Sequence, residues 1–180
     1  CLTGILLLFC FGGCTINCPG FSEGSKQWFP YSIKNNLCFV NGNDTLKYEI
    51  TDYYASPRQS DFFCMCCSRS CDFHATGDNA PYSLINCYMD DEMKFQGVPY
   101  IDLDIAYFKS YEFSHFAFNE HVNNRYCDSL VVNGKIFYDV LVLNQASFSK
   151  GFFQKVIVAK DYGIIEMTDI NDKVWELSGE

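Results

Sequence analysis

The alternation of apolar and polar residues along the chain predicts β-strands. Over residues 45–51 every second residue is apolar, which is the period of a strand with one buried face and one face in water. Between Ile101 and Ile105 the same alternation places three aliphatic residues on one face and Asp102 and Asp104 on the other. The sequence therefore predicts a chain built mainly of β-strands.

Turn residues between these segments predict hairpins. Residues 41–44, Asn-Gly-Asn-Asp, join a short apolar segment at 37–40 to the strand at 45–51. Asn133-Gly134 separates residues 130–132 from 135–143, and this pair adopts the positive φ angles of a type I′ turn. Further strands are predicted over residues 82–89, 100–108, 112–118, 153–159, 163–168 and 174–177.

Helical periodicity is not sustained anywhere in the sequence, and a short helix is predicted as possible only at residues 90–95 or 144–151. The length of 180 residues suits one domain with a real core. The predicted fold class is all-β with minor helix possible, built on a single antiparallel sheet.

The N-terminal segment has the character of an export signal. Residues 2–11 are uncharged and apolar, with the length of a signal-peptide core and too short to span a bilayer as a helix. Phe11-Gly12-Gly13-Cys14 follows, which resembles the bacterial lipobox, where small residues precede a cysteine that is acylated and exposed by cleavage. We expect a signal peptide at 1–13, lipidation of Cys14 with chains such as palmitate, a flexible tether at 14–27 and an antiparallel β domain at 28–180. The alternative is a buried strand or short helix that contains Cys14 by chance.

Cysteine usage fits an oxidising compartment, since eleven cysteines in 180 residues is unusual for a reducing one. Four of them lie within residues 64–71, where metal ligation or free thiols are the alternatives, although the spacing suits a zinc site poorly. Without the signal segment and Cys14, eight candidate disulfide cysteines remain: Cys18, Cys38, Cys64, Cys66, Cys67, Cys71, Cys87 and Cys127.

Two parts of the sequence carry a family resemblance. Residues 155–167, followed by Val174-Trp175-Glu176-Leu177, resemble the closing strands of small cell-envelope lipoproteins of Bacteroidetes. Trp28-Phe29-Pro30-Tyr31, with residues 37–40 and 43–46, resembles their N-terminal half. The resemblance implies a curved antiparallel sheet or half-barrel on a lipid tether. It implies little about activity, because most of those proteins are of unknown function.

Candidate chemistry in the sequence is sparse. The three histidines, His74, His115 and His121, are interpreted as surface or edge residues. Residues 90–92, Asp-Asp-Glu, could hold calcium but are interpreted as a solvated turn, and Asp102 with Asp104 as the wet face of a strand. Since no catalytic or phosphate-binding motif occurs, no catalytic, cofactor-binding or metal-binding residue is predicted.

Charge and location then limit the function. A net charge of -9 disfavours nucleic acid as a partner. We expect a monomeric lipoprotein anchored to the inner or outer membrane and facing the periplasm or cell exterior. It would act as a binding or structural module for an envelope protein, glycan or lipid, with outward-facing aromatic rings as one possible contact surface. The alternatives are a lipocalin-like carrier of an apolar ligand and a hydrolase or thiol-redox enzyme.

Overall fold

The computed structural model describes residues 21–59, 67–77, 84–106, 113–118, 124–147 and 150–178. This part of the chain forms one short helix and eleven strands. They are α1 (Glu23–Lys26), β1 (Asn36–Asn41), β2 (Asp44–Gln59), β3 (Cys67–Gly77), β4 (Leu84–Phe95), β5 (Val98–Ala106), β6 (Ser114–Phe118), β7 (Arg125–Val132), β8 (Lys135–Asn144), β9 (Phe153–Ala159), β10 (Gly163–Asp169) and β11 (Val174–Leu177).

All eleven strands belong to a single antiparallel sheet that curls into a half-barrel, which confirms the predicted fold class. Its order is β6-β5-β4-β3-β2-β1-β11-β10-β9-β8-β7. Neighbours in the chain are neighbours in the sheet, except that β1 pairs with β11 in the middle while β6 and β7 form the two edges. Two meanders, β1–β6 and β7–β11, therefore join along the β1–β11 pair.

The predicted alternation is present in the structure. In β2, Leu46, Tyr48 and Ile50 are buried and the residues between them are exposed. The predicted hairpins also form, with Asn41 paired to Asp44 and Val132 paired to Lys135. Asn133 and Gly134 have φ angles of 49° and 73°, as a type I′ turn requires.

The inside of the curl is filled with apolar side chains. One core cluster combines inward-facing residues of both meanders, among them Phe39, Met89, Phe116 and Val158, each fully buried. The N-terminal segment adds Phe21, Trp28, Phe29 and Tyr31 to the same cluster. Close packing of these large side chains makes the interior a core.

The N-terminal segment crosses this interior between the two meanders. At one end Ser22 and Ser25 bond to Asp91 of β4, and at the other the Gln27 carbonyl accepts from the Asp161 amide. Packed structure is therefore already present at Phe21, inside the range 14–27 that composition assigns to the tether. Residues 14–20 lie outside the described part of the chain.

The two possible helices are absent where the structure describes them. Residues 90–95 belong to β4, whose pairing with β5 is interrupted between Asp90 and Lys94. Residues 144–147, 150 and 151 are strand end, turn or irregular backbone. Within the described ranges, no helix is long and apolar enough to cross a membrane.

A seam closes the curl, where edge strand β6 meets the connection between β8 and β9. The Ala146 amide donates to the His115 carbonyl over 2.9 Å, and the Phe153 amide donates to the buried Ser114 hydroxyl over 2.7 Å. Asn124, just before β7, donates to the Ala117 carbonyl and accepts from the Asn144 amide. These bonds hold β6 to the second meander without a ladder between strands.

Candidate functional site

The outer face of strands β3 to β6 carries a polar and aromatic surface, which we call the β3–β6 face. Antiparallel register places His74, Asn86, Asp104 and His115 side by side on four successive strands. In the next row Tyr88 lies opposite Asp102. Directly opposed residues share a face, so this register brings residues far apart in sequence into contact.

Asp102, Asp104 and His115 form the tightest group on this face. His115 Nδ1 lies 2.8 Å from Asp104 Oδ1 and 3.3 Å from Asp102 Oδ1. The three side chains are half-buried, with exposed fractions of 30%, 40% and 23% in the same order. One atom from each lies within 4.8 Å of the others, so three potential ligand atoms converge on one point.

Electrostatics in the group favour a positive partner. Burial raises the pKa of Asp102, the neighbouring Asp104 carboxylate raises it further, and His115 opposes the change. Two carboxylates that share one imidazole at this distance repel each other and gain from any added positive charge.

Two tyrosines on the same face donate hydrogen bonds to neighbouring carboxylates. The Tyr100 hydroxyl donates to Asp102 Oδ2 over 3.3 Å, and the Tyr88 hydroxyl donates to Asp90 Oδ2 over 3.2 Å. Their rings meet edge to face at 6.3 Å. Burial and the Asp102 carboxylate together raise the pKa of Tyr100 to about 12, so its hydroxyl keeps its proton at neutral pH.

The sequence predicted part of this group but not its assembly. Asp102 and Asp104 do lie on the wet face of β5, and His115 does lie on an edge strand. What the sequence could not supply is the register between β5 and β6, which places His115 opposite Asp104. His74 is exposed and bonds to Asn86 over 2.8 Å, and His121 lies outside the described residues.

The acidic run at residues 90–92 is not a solvated turn. Asp90 and Asp91 are buried within β4, with exposed fractions of 7% and 1%. Asp91 accepts hydrogen bonds from the Ser22 amide and the Ser25 hydroxyl, and it pairs with Lys94 at 3.0 Å. Its role is therefore to hold the N-terminal segment.

Three of the candidate disulfide cysteines, Cys38, Cys87 and Cys127, lie where no two of them can pair with each other. Cys38 and Cys127 have free thiols, and five strand spacings, about 24 Å along the sheet, separate them. Cys87 is buried on the inner face, so it cannot reach either of them. Cys18, Cys64 and Cys66 lie outside the described residues, and only the backbone positions of Cys67 and Cys71 are described.

A second surface lies on the outer side of the other meander. Val132, Phe137, Ile165 and Leu177 line an open groove of about 420 Å³, and Lys135 Nζ sits 4.9 Å and 4.4 Å above the rings of Phe137 and Tyr162. On the opposite face of the same hairpin, Val131, Ile136 and Tyr138 are more than half exposed. The surface at this end of the sheet is apolar, whereas the β3–β6 face is acidic.

Known proteins offer no guide to these surfaces. No protein-family model, curated protein or solved structure matches the chain.

Proposed function

We propose that this chain is a lipid-anchored, extracytoplasmic binding module of the cell envelope, and that it binds through the β3–β6 face. The binding role is supported by the contrast between the filled interior of the sheet and its polar outer face. Phe29, Phe39, Phe116 and Phe118 occupy the inside of the curl, each with no exposed surface. This packing favours surface recognition over a lipocalin-like carrier, which needs an apolar cavity.

The chemistry of the face selects the type of ligand. The half-buried rings of Tyr88 and Tyr100 can stack on flat apolar surfaces, and the carboxylates between them accept hydrogen bonds. Because these carboxylates repel anions, the ligand is a neutral or basic group of the envelope, such as the hydroxyl-rich surface of a glycan.

Anchoring is supported by sequence alone. The apolar segment at residues 2–11 leads into Gly12-Gly13-Cys14, and Phe21, the first residue that the structure describes, is already packed in the core. An acyl group on Cys14 would leave only residues 15–20 between the membrane surface and the domain. At 3.3–3.6 Å per residue these reach about 20 Å, so the domain would lie close to the bilayer.

Mass spectrometry of the full chain expressed in a bacterium with lipoprotein processing tests the anchor. We expect the mature protein to begin at Cys14 with acyl chains attached, and Cys14→Ser to abolish both acylation and cleavage. Cys18→Ser is the matched control and should be processed normally. An unmodified Cys14 with the leader still attached would overturn this part of the proposal.

Co-sedimentation with purified envelope glycan tests the binding face. The Cys14→Ser chain, which lacks acyl groups, should pellet with the glycan, and adding Tyr88→Ala should reduce the bound fraction several-fold. Tyr138→Ala removes an aromatic ring that is 68% exposed on β8 and should leave binding unchanged. Loss of binding in the Tyr138 variant alone would assign recognition to the other end of the sheet.

A further inference from the structure

The Asp102, Asp104 and His115 side chains have the composition and spacing of a metal site. Zinc–nitrogen and zinc–oxygen bonds of about 2.1 Å put neighbouring ligand atoms about 3.4 Å apart in a tetrahedral site and about 3.0 Å apart in an octahedral one. The distances from His115 Nδ1 to the two carboxylates, 2.8 Å and 3.3 Å, are within about 0.2 Å of this range. Little movement is needed to admit an ion.

We propose that Asp102, Asp104 and His115 bind a divalent transition-metal ion of the zinc type. The ligand atoms are His115 Nδ1 and one oxygen from each carboxylate, and the remaining coordination positions face solvent. The ion takes the place of any proton held between Nδ1 and Asp104, and that proton passes to water. This site depends only on the fold and not on the proposed anchor.

Surrounding contacts hold the ligands in position. Tyr100 binds Oδ2 of Asp102, which leaves Oδ1 directed at His115. His115 lies on β6, whose backbone is fixed at the seam by the bond from the Ala146 amide. Such outer contacts orient ligands in known metal sites, and their loss typically weakens binding 10- to 100-fold.

The ligand types select the class of metal. Calcium requires about six to eight oxygen ligands and magnesium keeps most of its water, so one imidazole with two carboxylates suits neither well. An imidazole nitrogen with carboxylate oxygens is typical of zinc and its neighbours in the first transition row. The partly buried position also strengthens the attraction between the ion and two carboxylates.

Isothermal titration of the full chain with Zn²⁺, compared across variants, tests the proposal. We expect His115→Gln and Asp104→Asn each to weaken one zinc site at least 10-fold. His74→Gln is the matched control, because His74 lies in the same cross-strand row but bonds to Asn86 instead of a carboxylate. It should bind zinc as the unmodified chain does. Equal binding by the unmodified and His115→Gln chains would overturn the proposal.

Cobalt spectroscopy separates this site from the cysteines. Co²⁺ should give visible ligand-field bands that His115→Gln removes, whereas thiolate ligands add an intense charge-transfer band. Bands that persist in His115→Gln with strong charge transfer would place the ion on thiols and refute the assignment. Asp104→Asn keeps an oxygen facing His115, and an unchanged thermal unfolding midpoint for that variant shows that lost binding is not lost folding.

Discussion

Buried polar residues in this protein hold irregular backbone in place. Asp169 accepts from the amides of Asn171 and Lys173 and lies 3.4 Å from Nε1 of Trp175, and so fixes the turn before β11. Asp91 does the same for the segment around α1. A buried carboxylate is costly unless several donors satisfy it, and each of these has at least two. Their burial is explained by structure, without a ligand.

Asp91 should make the stability of the domain sensitive to acid. Burial raises its pKa, but hydrogen bonds from Ser25, Lys94 and Ser22 outweigh that effect and lower the pKa to about 2. A carboxylate with a lowered folded-state pKa stabilises the fold above its unfolded pKa of about 3.9, and this contribution is lost as the pH falls towards 2. The stabilisation amounts to about 2–3 kcal/mol at neutral pH.

Urea unfolding at pH 6 and at pH 2.5 measures this contribution. Asp91→Asn should lower the free energy of unfolding at pH 6. The difference in free energy of unfolding between this variant and the unmodified chain should be smaller at pH 2.5. Asp52→Asn changes an exposed carboxylate on β2. Its free energy of unfolding should equal that of the unmodified chain at both pH values. A gap that stays constant with pH would mean that Asp91 does not carry the acid sensitivity.

The role of Asp91 could not be predicted from sequence. Three consecutive acidic residues are usually solvated, and the donors that justify burial come from Ser22 and Ser25, far away in the chain. His115 is a similar case, since its carboxylate partners lie on another strand. Roles that depend on contacts between distant residues can be predicted only when the register of the strands is known. Local sequence patterns do not provide that register.

Among the features of the strands and their connections, turns were the most predictable because their chemistry is local. Asn133-Gly134 and the Gly-Asn turn after Asn41 supply the conformations that tight hairpins require. Strand β3 was not predicted, since the cysteine-rich sequence before residue 72 lacks alternation. Residues 90–95 suggested a helix because charged residues replace alternation where the β4–β5 pairing is irregular.

Gly163, at the start of β10, is required for two separate reasons. Its φ angle is +76°, and an added methyl group would overlap the Tyr31 phenol, whose oxygen accepts from the Ile164 amide over 2.7 Å. Gly163→Ala should therefore lower the free energy of unfolding by about 2–4 kcal/mol, since overpacking adds to backbone strain.

A second glycine separates the two effects. Gly134 has a φ angle of +73° with open space where a methyl group would be. Gly134→Ala should cost only the backbone strain, about 1 kcal/mol. Denaturant unfolding of both variants makes the comparison, and equal losses would show that contact with Tyr31 contributes nothing.

The strand order of the sheet leaves its edge strand β6 to be held against the second meander without a ladder. Every hydrogen-bonded pair except β1–β11 joins strands that are consecutive in the chain, so most of the topology follows from hairpins. The general form, a curved single sheet, was predictable for that reason. The seam was not, because it depends on Ser114 and Gly151, which give no pattern in the sequence.

Gly151 should control how firmly the curl is closed. It is buried against Ser114, and an added methyl group would overlap the Ser114 backbone nitrogen and hydroxyl. Gly151→Ala should push the β8–β9 connection away from β6 and weaken the bonds donated by the Ala146 and Phe153 amides. Local opening would then expose these amides more often than the rest of the sheet.

Amide hydrogen exchange followed by NMR tests this directly. Protection of Ala146 and Phe153 should fall at least 10-fold in Gly151→Ala, while protection in the β1–β2 hairpin changes much less. Gly24→Ala, where an added methyl group meets open space, is the control and should leave the seam unchanged. A uniform loss of protection across all strands would show instead that the seam opens only when the whole sheet unfolds.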